Sequence, residues 1–135
     1  MGSSTAIITS VVSVVIMGGS IKLAIAMGPK SATTPIAMAV SEKLGGMPAL
    51  TAVLVISTGI LGAIIGQFVF NLMHINSHQI RGFSLGITSH GIGTARSFQV
   101  SAEMGAFSGL GMGLNGVLTA FLAPWLIPVV VHLLV

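Results

Sequence analysis

The sequence lacks cysteine and tyrosine, and its 135 residues include only five basic and two acidic side chains. Without cysteine there is no disulfide, no thiol nucleophile and no cysteine-based metal site. With two separate carboxylates and no nucleophile motif, we expect neither an enzyme nor a metal or cofactor site. The few cations are scattered along the chain and form no basic patch, so we expect no nucleic-acid partner.

Most of the remaining residues are apolar. The chain is 53% hydrophobic and 5% charged, with a mean hydropathy of +1.05, whereas a soluble domain carries about 25% charged residues. We therefore predict an all-α, polytopic membrane protein that lies in a lipid bilayer and forms a single domain over residues 1–135. The first lysine is Lys22, so the N-terminus has no basic region of a signal peptide.

One polar stretch interrupts the apolar chain, Pro-Lys-Ser-Ala-Thr-Thr-Pro at residues 29–35. Because proline lacks an N–H and restricts the residue before it, we predict that a helix stops near Gly28. A new helix should begin at Pro35, with Thr34 as its N-cap. The unpaired N–H groups at that helix start, together with Lys30, would favour an anion. Broken helices of this kind are typical of binding elements in transporters.

The apolar segments around this break predict further helices. Residues 5–17 and 21–28 are too short to span a bilayer and are separated by Gly18-Gly19-Ser20. A single span over residues 5–28 is the alternative, since paired glycines weaken a helix without forbidding it. Residues 35–44 form a half-helix, and residues 48–73 form a full span that packs through Gly59, Gly62 and Gly66.

The C-terminal part shows a second interruption. We predict a half-helix over residues 80–89, a break at residues 90–93, and a further half-helix capped by Thr94 that ends at Glu103. The last predicted span covers residues 105–134. Its packing stripe would consist of Gly105, Gly109 and Gly113.

Two lengths of the chain, one beginning at Thr33 and the other at Ile92, match at five positions, each pair separated by 60 in the numbering. The identical pairs are Thr34 and Thr94, Val40 and Val100, Ser41 and Ser101, Gly45 and Gly105, and Leu50 and Leu110. We interpret residues 29–73 and 88–134 as repeat units, with chance matching of small residues as the alternative. If both broken elements are re-entrant hairpins, their tips meet at the midplane in an inverted repeat; if they cross fully, the repeat is parallel.

Several motifs occur together in order: PKSATTPIAM from Pro29, GILGA from Gly59, Arg81-Gly82, TSHGIGTAR from Thr88 and EMGAFS from Glu103. In these motifs the chain resembles the LrgB/CidB family. The resemblance implies one of two functions, carriage of small monocarboxylates such as pyruvate and glycolate, or antiholin-like regulation of murein hydrolases and cell lysis.

The resemblance also implies a place in the bacterial cytoplasmic (inner) membrane and a small LrgA/CidA-type membrane partner. Members of the family, which include a plastid glycolate/glycerate translocator, are usually longer upstream. We therefore expect that this chain lacks their N-terminal helices. It would then be a fragment, a short reading frame or one part of an assembly, and we expect a homo-oligomer.

The transport hypothesis places the substrate site for a small anionic monocarboxylate at the two breaks. The candidate residues are Lys30, Ser31, Thr33, Thr34, Ser89, His90, Thr94 and Arg96. An ammonium at the midplane is costly unless it meets an anion, carbonyls or water, so Lys30 is the first candidate, with carbonyl contacts or snorkelling as the alternative. The planar fork of Arg96 suits a carboxylate, but pairing with Glu42 or Glu103 would also satisfy it.

Two further roles are open. His90 and Glu103 are candidates for proton coupling, although His90 could instead be a neutral hydrogen-bonding residue and Glu103 a solvated one. We expect Gln67, Asn71 and Asn115 to form hydrogen bonds between helices.

Overall fold

The computed structural model describes residues 2–134, and its regular structure over that range is entirely helical. The helices are α1 (Gly2–Ile16), α2 (Ile21–Met27), α3 (Thr34–Lys43), α4 (Pro48–Leu72), α5 (His78–Val100) and α6 (Ala102–Leu134). The predicted all-α class is therefore confirmed.

The first two helices are separate, so the alternative of one span over residues 5–28 is wrong. Gly18 adopts a φ of +77°, which a helix cannot contain. The N–H of Leu23 then donates to Ser20 Oγ at 3.2 Å, which caps the start of α2.

Helix α2 ends at Met27, beside the predicted stop near Gly28, and α3 begins at Thr34. The residues between them coil into tight turns, with Lys30 N donating to Met27 O and Ala32 N donating to Pro29 O. One detail of the prediction is wrong, because Thr33, in extended geometry, is the N-cap in place of Thr34. Pro35 then lies in the first turn, where a missing N–H costs no helical hydrogen bond.

Helices α2 and α3 fold back on each other and form the first hairpin, whose tip is residues 28–33. Just after α3, Gly46 lies so close to Ile25 of α2 that an added Cβ would be 2.7 Å from Ile25 Cγ2. Leu44 shares an apolar groove with Ile21 and Ile25. The start of α2 therefore lies beside the end of α3.

Helix α5 is a second hairpin with its tip at His90. His78 is the first residue of α5, and Ser101 directly follows its end. The Oγ of Ser101 lies 3.3 Å from Nδ1 of His78. A straight helix of 23 residues would hold its ends roughly 34 Å apart. The reversal occurs at His90, where φ is 40° and ψ is −129°.

The predicted cap and turn of this second element are wrong. Thr94 caps no helix; its hydroxyl donates to the carbonyl of His90, four residues earlier, at 2.9 Å. The returning arm ends at Val100, not Glu103. Ser101 Oγ accepts the N–H of Met104 at 3.1 Å, so α6 starts at Ala102 and Gly105 lies inside it rather than in a turn.

Helix α6 runs beside both hairpins. Near its start, an added Cβ at Gly82 or Gly86 of α5 would collide with the carbonyls of Met104 and Ser108. Near its end, Ala123 and Ile127 are buried in one apolar cluster with Ala24 of α2 and Val40 of α3. The two hairpins therefore approach α6 from its opposite ends.

Close helix packing depends on glycine, although only one of the two predicted stripes is correct. On α4, an added Cβ at Gly59 would lie 2.6 Å from His90 Cε1, and one at Gly62 would collide with Ser89 Oγ. On α6, Gly105 is closely packed as predicted, against the ring of Phe98, but Gly109 and Gly113 face open space. Gly111 packs on the carbonyl of Phe83 instead, because α5 approaches that side of α6.

Helices α4 and α6 are long and apolar enough to cross a membrane. Most of their apolar surface does not contribute to a core, since only 17% of the apolar window of α4 and 22% of that of α6 is buried. Large side chains such as Phe68, Phe121 and Trp125 are more than 70% exposed. An exposed apolar surface of this extent is typical of a face that contacts protein partners or a membrane.

The hairpin geometry of α5 predicts a cross-link. Because the native chain has no cysteine, the double change His78→Cys and Ser101→Cys should form a disulfide on mild oxidation, visible as faster migration in non-reducing electrophoresis. The matched pair His78→Cys and Thr88→Cys, roughly 15 Å apart along one arm, should stay reduced. Equal oxidation of both pairs, or none in the first, would contradict the hairpin.

The glycine contacts predict opposite effects at two positions. Gly62→Ala should destabilise the protein by about 1–3 kcal/mol, because the new methyl group collides with Ser89. Gly113→Ala should be neutral or stabilising, since that position is open and alanine favours a helix. Thermal unfolding in detergent measures both, and a Gly62→Ala protein as stable as wild type would refute the packing.

Candidate functional site

An open cleft of about 560 Å³ lies between α1, the tip of the first hairpin, α4 and α5. Its walls are mainly apolar, from residues such as Leu61, Ile65 and Leu85. The polar residues that line it are Thr9, Lys30, Ser31, Thr58, Ser84 and Thr88. We call this the Lys30 cleft, because Lys30 is its one charged lining residue.

Lys30 is half-buried at the tip of the first hairpin. The residues on either side of it, Pro29 and Ser31, are buried, so the backbone that carries the ammonium is packed in protein. One cation beside hydroxyl groups and apolar walls can bind a small anion that also has a hydrocarbon part.

The tip is attached to the rest of the molecule by the buried side chain of Asn115 on α6. Its Nδ2 donates to Ser31 O at 2.8 Å and to Ile87 O at 3.3 Å, and its Oδ1 accepts the hydroxyl of Ser3 at 2.6 Å. One carboxamide therefore joins α1, both hairpins and α6.

Both carbonyls that Asn115 binds lie near the hairpin tips. Ser31 is in the turn segment before α3, ahead of the first hydrogen bonds of that helix. Ile87 lies three positions before the reversal at His90. Since a buried carbonyl without a partner is costly, the amide of Asn115 helps to satisfy the backbone at both tips.

Ser89 and His90 are buried between α4 and α5 rather than in the Lys30 cleft. His90 Nε2 donates to the carbonyl of Val55 at 2.9 Å, and the ring occupies the space left by Gly59. A positive φ on a histidine costs on the order of 1–3 kcal/mol, and this hydrogen bond helps to offset the strain.

The three predicted threonines lie outside the cleft. Thr33 and Thr34 begin α3, where the carbonyl of Thr33 accepts the N–H of Ala37 at 2.9 Å. Thr94 is within 3.0 Å of Ser108 Oγ on α6. Their observed contacts are structural ones.

Arg96 and Glu103 are also separated from Lys30. Arg96 lines a second cleft of about 450 Å³ between α4 and the returning arm of α5, where its Nη1 donates to Gln99 Oε1 at 2.9 Å. Glu103 is exposed at the base of the second hairpin and accepts a hydrogen bond from Gln79 Nε2 at 2.9 Å. Lys30 and Ser31 are thus the predicted residues that the structure brings together in one cleft.

The sequence predictions missed four hydroxyl residues of the cleft, Thr9, Thr58, Ser84 and Thr88. The spacing of these residues could have indicated the cleft, because Ser84 and Thr88 lie one helical turn apart on one face of their helix, as do Thr58 and Gly62. Asn115 was predicted as an interhelical hydrogen bonder, which is confirmed. Asn71 Oδ1 accepts a hydrogen bond from Arg81 Nη2 at 2.7 Å, while the expectation for Gln67 stays a prediction.

Comparison with known proteins agrees with the motifs. A model described as the LrgB-like family matches residues 1–129. The chain belongs to this family. No solved structure matches the chain.

Three relatives show how far the similarity extends. The chain is 46% identical over 99 residues to the uncharacterized protein YwbG of Bacillus subtilis, covering 73% of this chain and 44% of YwbG. It is 36% identical over 110 residues to an uncharacterized protein of Haemophilus influenzae, covering 82% and 48%. It is 36% identical over 112 residues to the holin-like protein CidB of Staphylococcus epidermidis, covering 83% and 49%. The chain spans about half the length of these relatives.

The contacts of Asn115 predict that its loss destabilises the fold. Asn115→Leu should lower the free energy of unfolding by about 1–3 kcal/mol, because Ser31 O and Ile87 O lose a donor. Asn76→Leu, at an exposed position between α4 and α5, is the matched control and should be nearly neutral. Chemical unfolding in mixed micelles measures both, and equal stability of the two variants would show that Asn115 does not hold the tips.

Proposed function

We propose that this chain is a multi-pass protein of the bacterial cytoplasmic membrane in which two re-entrant hairpins meet at mid-depth. The proposal is supported by the exposed apolar surfaces of α4 and α6 and by the approach of the hairpins from opposite ends of α6. Asn115 lies about halfway along α6 and contacts both hairpins. Backbone outside a helix is tolerated at that depth when protein surrounds it.

The two hairpins would be the corresponding parts of an inverted repeat with units at about residues 29–73 and 88–134. The spacing of 60 residues that relates Thr34 to Thr94 also relates Lys30 to His90, so both tips carry a basic residue at the same repeat position. Because the two hairpins approach α6 from its opposite ends, an inverted repeat is favoured over a parallel one. Pairs of broken helices related in this way form substrate sites in many transporters.

The function that this geometry supports best is carriage of a small monocarboxylate through the Lys30 cleft. The observation that carries the proposal is Lys30 itself, a cation at a hairpin tip in a cleft with apolar walls. An ammonium at membrane depth is stabilised by an anion, and the cleft accommodates a compound the size of pyruvate or glycolate with water. Because the chain spans half the length of its relatives, a complete carrier would be an oligomer of this chain or a longer protein.

The second candidate function is regulation of murein hydrolases and cell lysis together with a small LrgA/CidA-type membrane protein. The observation that favours it is the name of the relative from Staphylococcus epidermidis, holin-like protein CidB. In that case assembly with the partner would matter, and the hairpins would serve packing rather than solute passage.

A transport assay separates the two functions. Proteoliposomes that contain the chain should take up labelled pyruvate or glycolate with saturation, and Lys30→Gln should reduce uptake at low substrate at least tenfold, since hydrogen bonds to charged groups contribute about 1.5–3 kcal/mol. Lys43→Gln, which removes an exposed cation at the end of α3, is the matched control and should leave uptake unchanged.

Two results would count against transport. Uptake by a folded Lys30→Gln protein that equals wild type would exclude the cleft as the site. Absence of saturable flux, combined with altered lysis of cells that express the chain, would favour the regulatory function.

A further inference from the structure

Arg96 lies on the other side of α4 from the Lys30 cleft. The contact of Gly59 and Gly62 with His90 and Ser89 closes the space between the two clefts. In the second cleft, Arg96 and Gln99 stand beside apolar side chains of Ile60, Ile64 and Ile92. Arg96 therefore does not contribute to the Lys30 cleft.

The surroundings of Arg96 favour a ligand that is both anionic and apolar. Ile60 is 46% exposed and Ile64 is 58% exposed, so the walls of the cleft are open to the exterior of the helices. The hydrogen bond to Gln99 uses one N–H of a guanidinium that has five. The remaining fork matches the oxygens of a phosphodiester, which it can bind through two parallel hydrogen bonds.

The position of Arg96 along the hairpin fits a phospholipid. Arg96 lies five positions before Ser101, which corresponds to roughly 7–8 Å of helix. The base of the hairpin is polar and exposed at His78, Gln79 and Glu103, as expected for a membrane surface. A long arginine side chain just below that surface extends toward the headgroups, where lipid phosphates lie.

We propose that the cleft of Arg96, Gln99, Ile60, Ile64 and Ile92 is a binding site for one anionic phospholipid. The phosphodiester accepts hydrogen bonds from Arg96 and from the amide of Gln99, and one acyl chain lies along the three isoleucines. The site is independent of the Lys30 cleft, so it holds whether or not the protein carries a solute.

Native mass spectrometry of the detergent-purified chain tests the site. With added phosphatidylglycerol, one lipid should be retained more tightly than phosphatidylcholine with the same acyl chains, because the latter has no net charge. Arg96→Gln should weaken that retention about tenfold or more. Gln99→Glu should weaken it similarly while keeping Arg96, because the new carboxylate occupies the guanidinium. Lys30→Gln and Lys43→Gln should leave it unchanged.

Several outcomes would overturn the proposal. The first is equal retention of phosphatidylglycerol and phosphatidylcholine. The second is unchanged retention of phosphatidylglycerol in both the Arg96→Gln and the Gln99→Glu protein. The third is a loss of retention in Lys43→Gln as large as that in Arg96→Gln, which would indicate diffuse charge attraction. Soluble glycerol phosphate is a further control. If it binds as tightly as the lipid, the isoleucine walls contribute nothing and the ligand is a free phosphate rather than a membrane lipid.

Discussion

Carbonyl groups that lose their helical donors must find others, and in an almost wholly apolar chain few are available. The carbonyl of Ser31 lies in the turn segment at the tip of the first hairpin, and that of Ile87 lies just before the reversal at His90. Asn115 serves both with a single amide group. The position of Lys30, the meeting of the hairpins and the attachment of α1 through Ser3 all depend on this one side chain.

Around Asn115, several helix contacts depend on the close approach of a neighbouring helix to glycine. Lipid is as apolar as leucine, so burial in a membrane gives little drive for helices to associate, and short interhelical distances must supply the attraction. The carbonyls of Met104 and Ser108 rest against Gly82 and Gly86, and Ser89 rests against Gly62. Glycine at these positions is thus a packing requirement, while large side chains such as Phe68, Phe121 and Trp125 are exposed.

The sequence predicted what local chemistry determines. Two prolines specified the first break, Gly18 and Ser20 specified the end of α1 and the start of α2, and a cation between the prolines identified Lys30. Prediction failed where distant partners decide the outcome. Thr94 has the chemistry of a cap, but it lies within the returning arm and bonds back to His90. Lys30 lies within the first break and Arg96 follows the second, yet the packing of α5 against α4 places them in different clefts. The partners of Asn115 lie 84 and 112 residues away and follow no local pattern.

The dependence of both hairpins on α6 has a consequence for biosynthesis. Ribosomes make the chain from the N-terminus, so the first hairpin emerges about 80 residues before the asparagine that its tip requires. Until then the carbonyl of Ser31 lacks the amide of Asn115, so the first tip cannot reach its final packing. Docking of the two tips is then a late step of folding that follows the synthesis of α6.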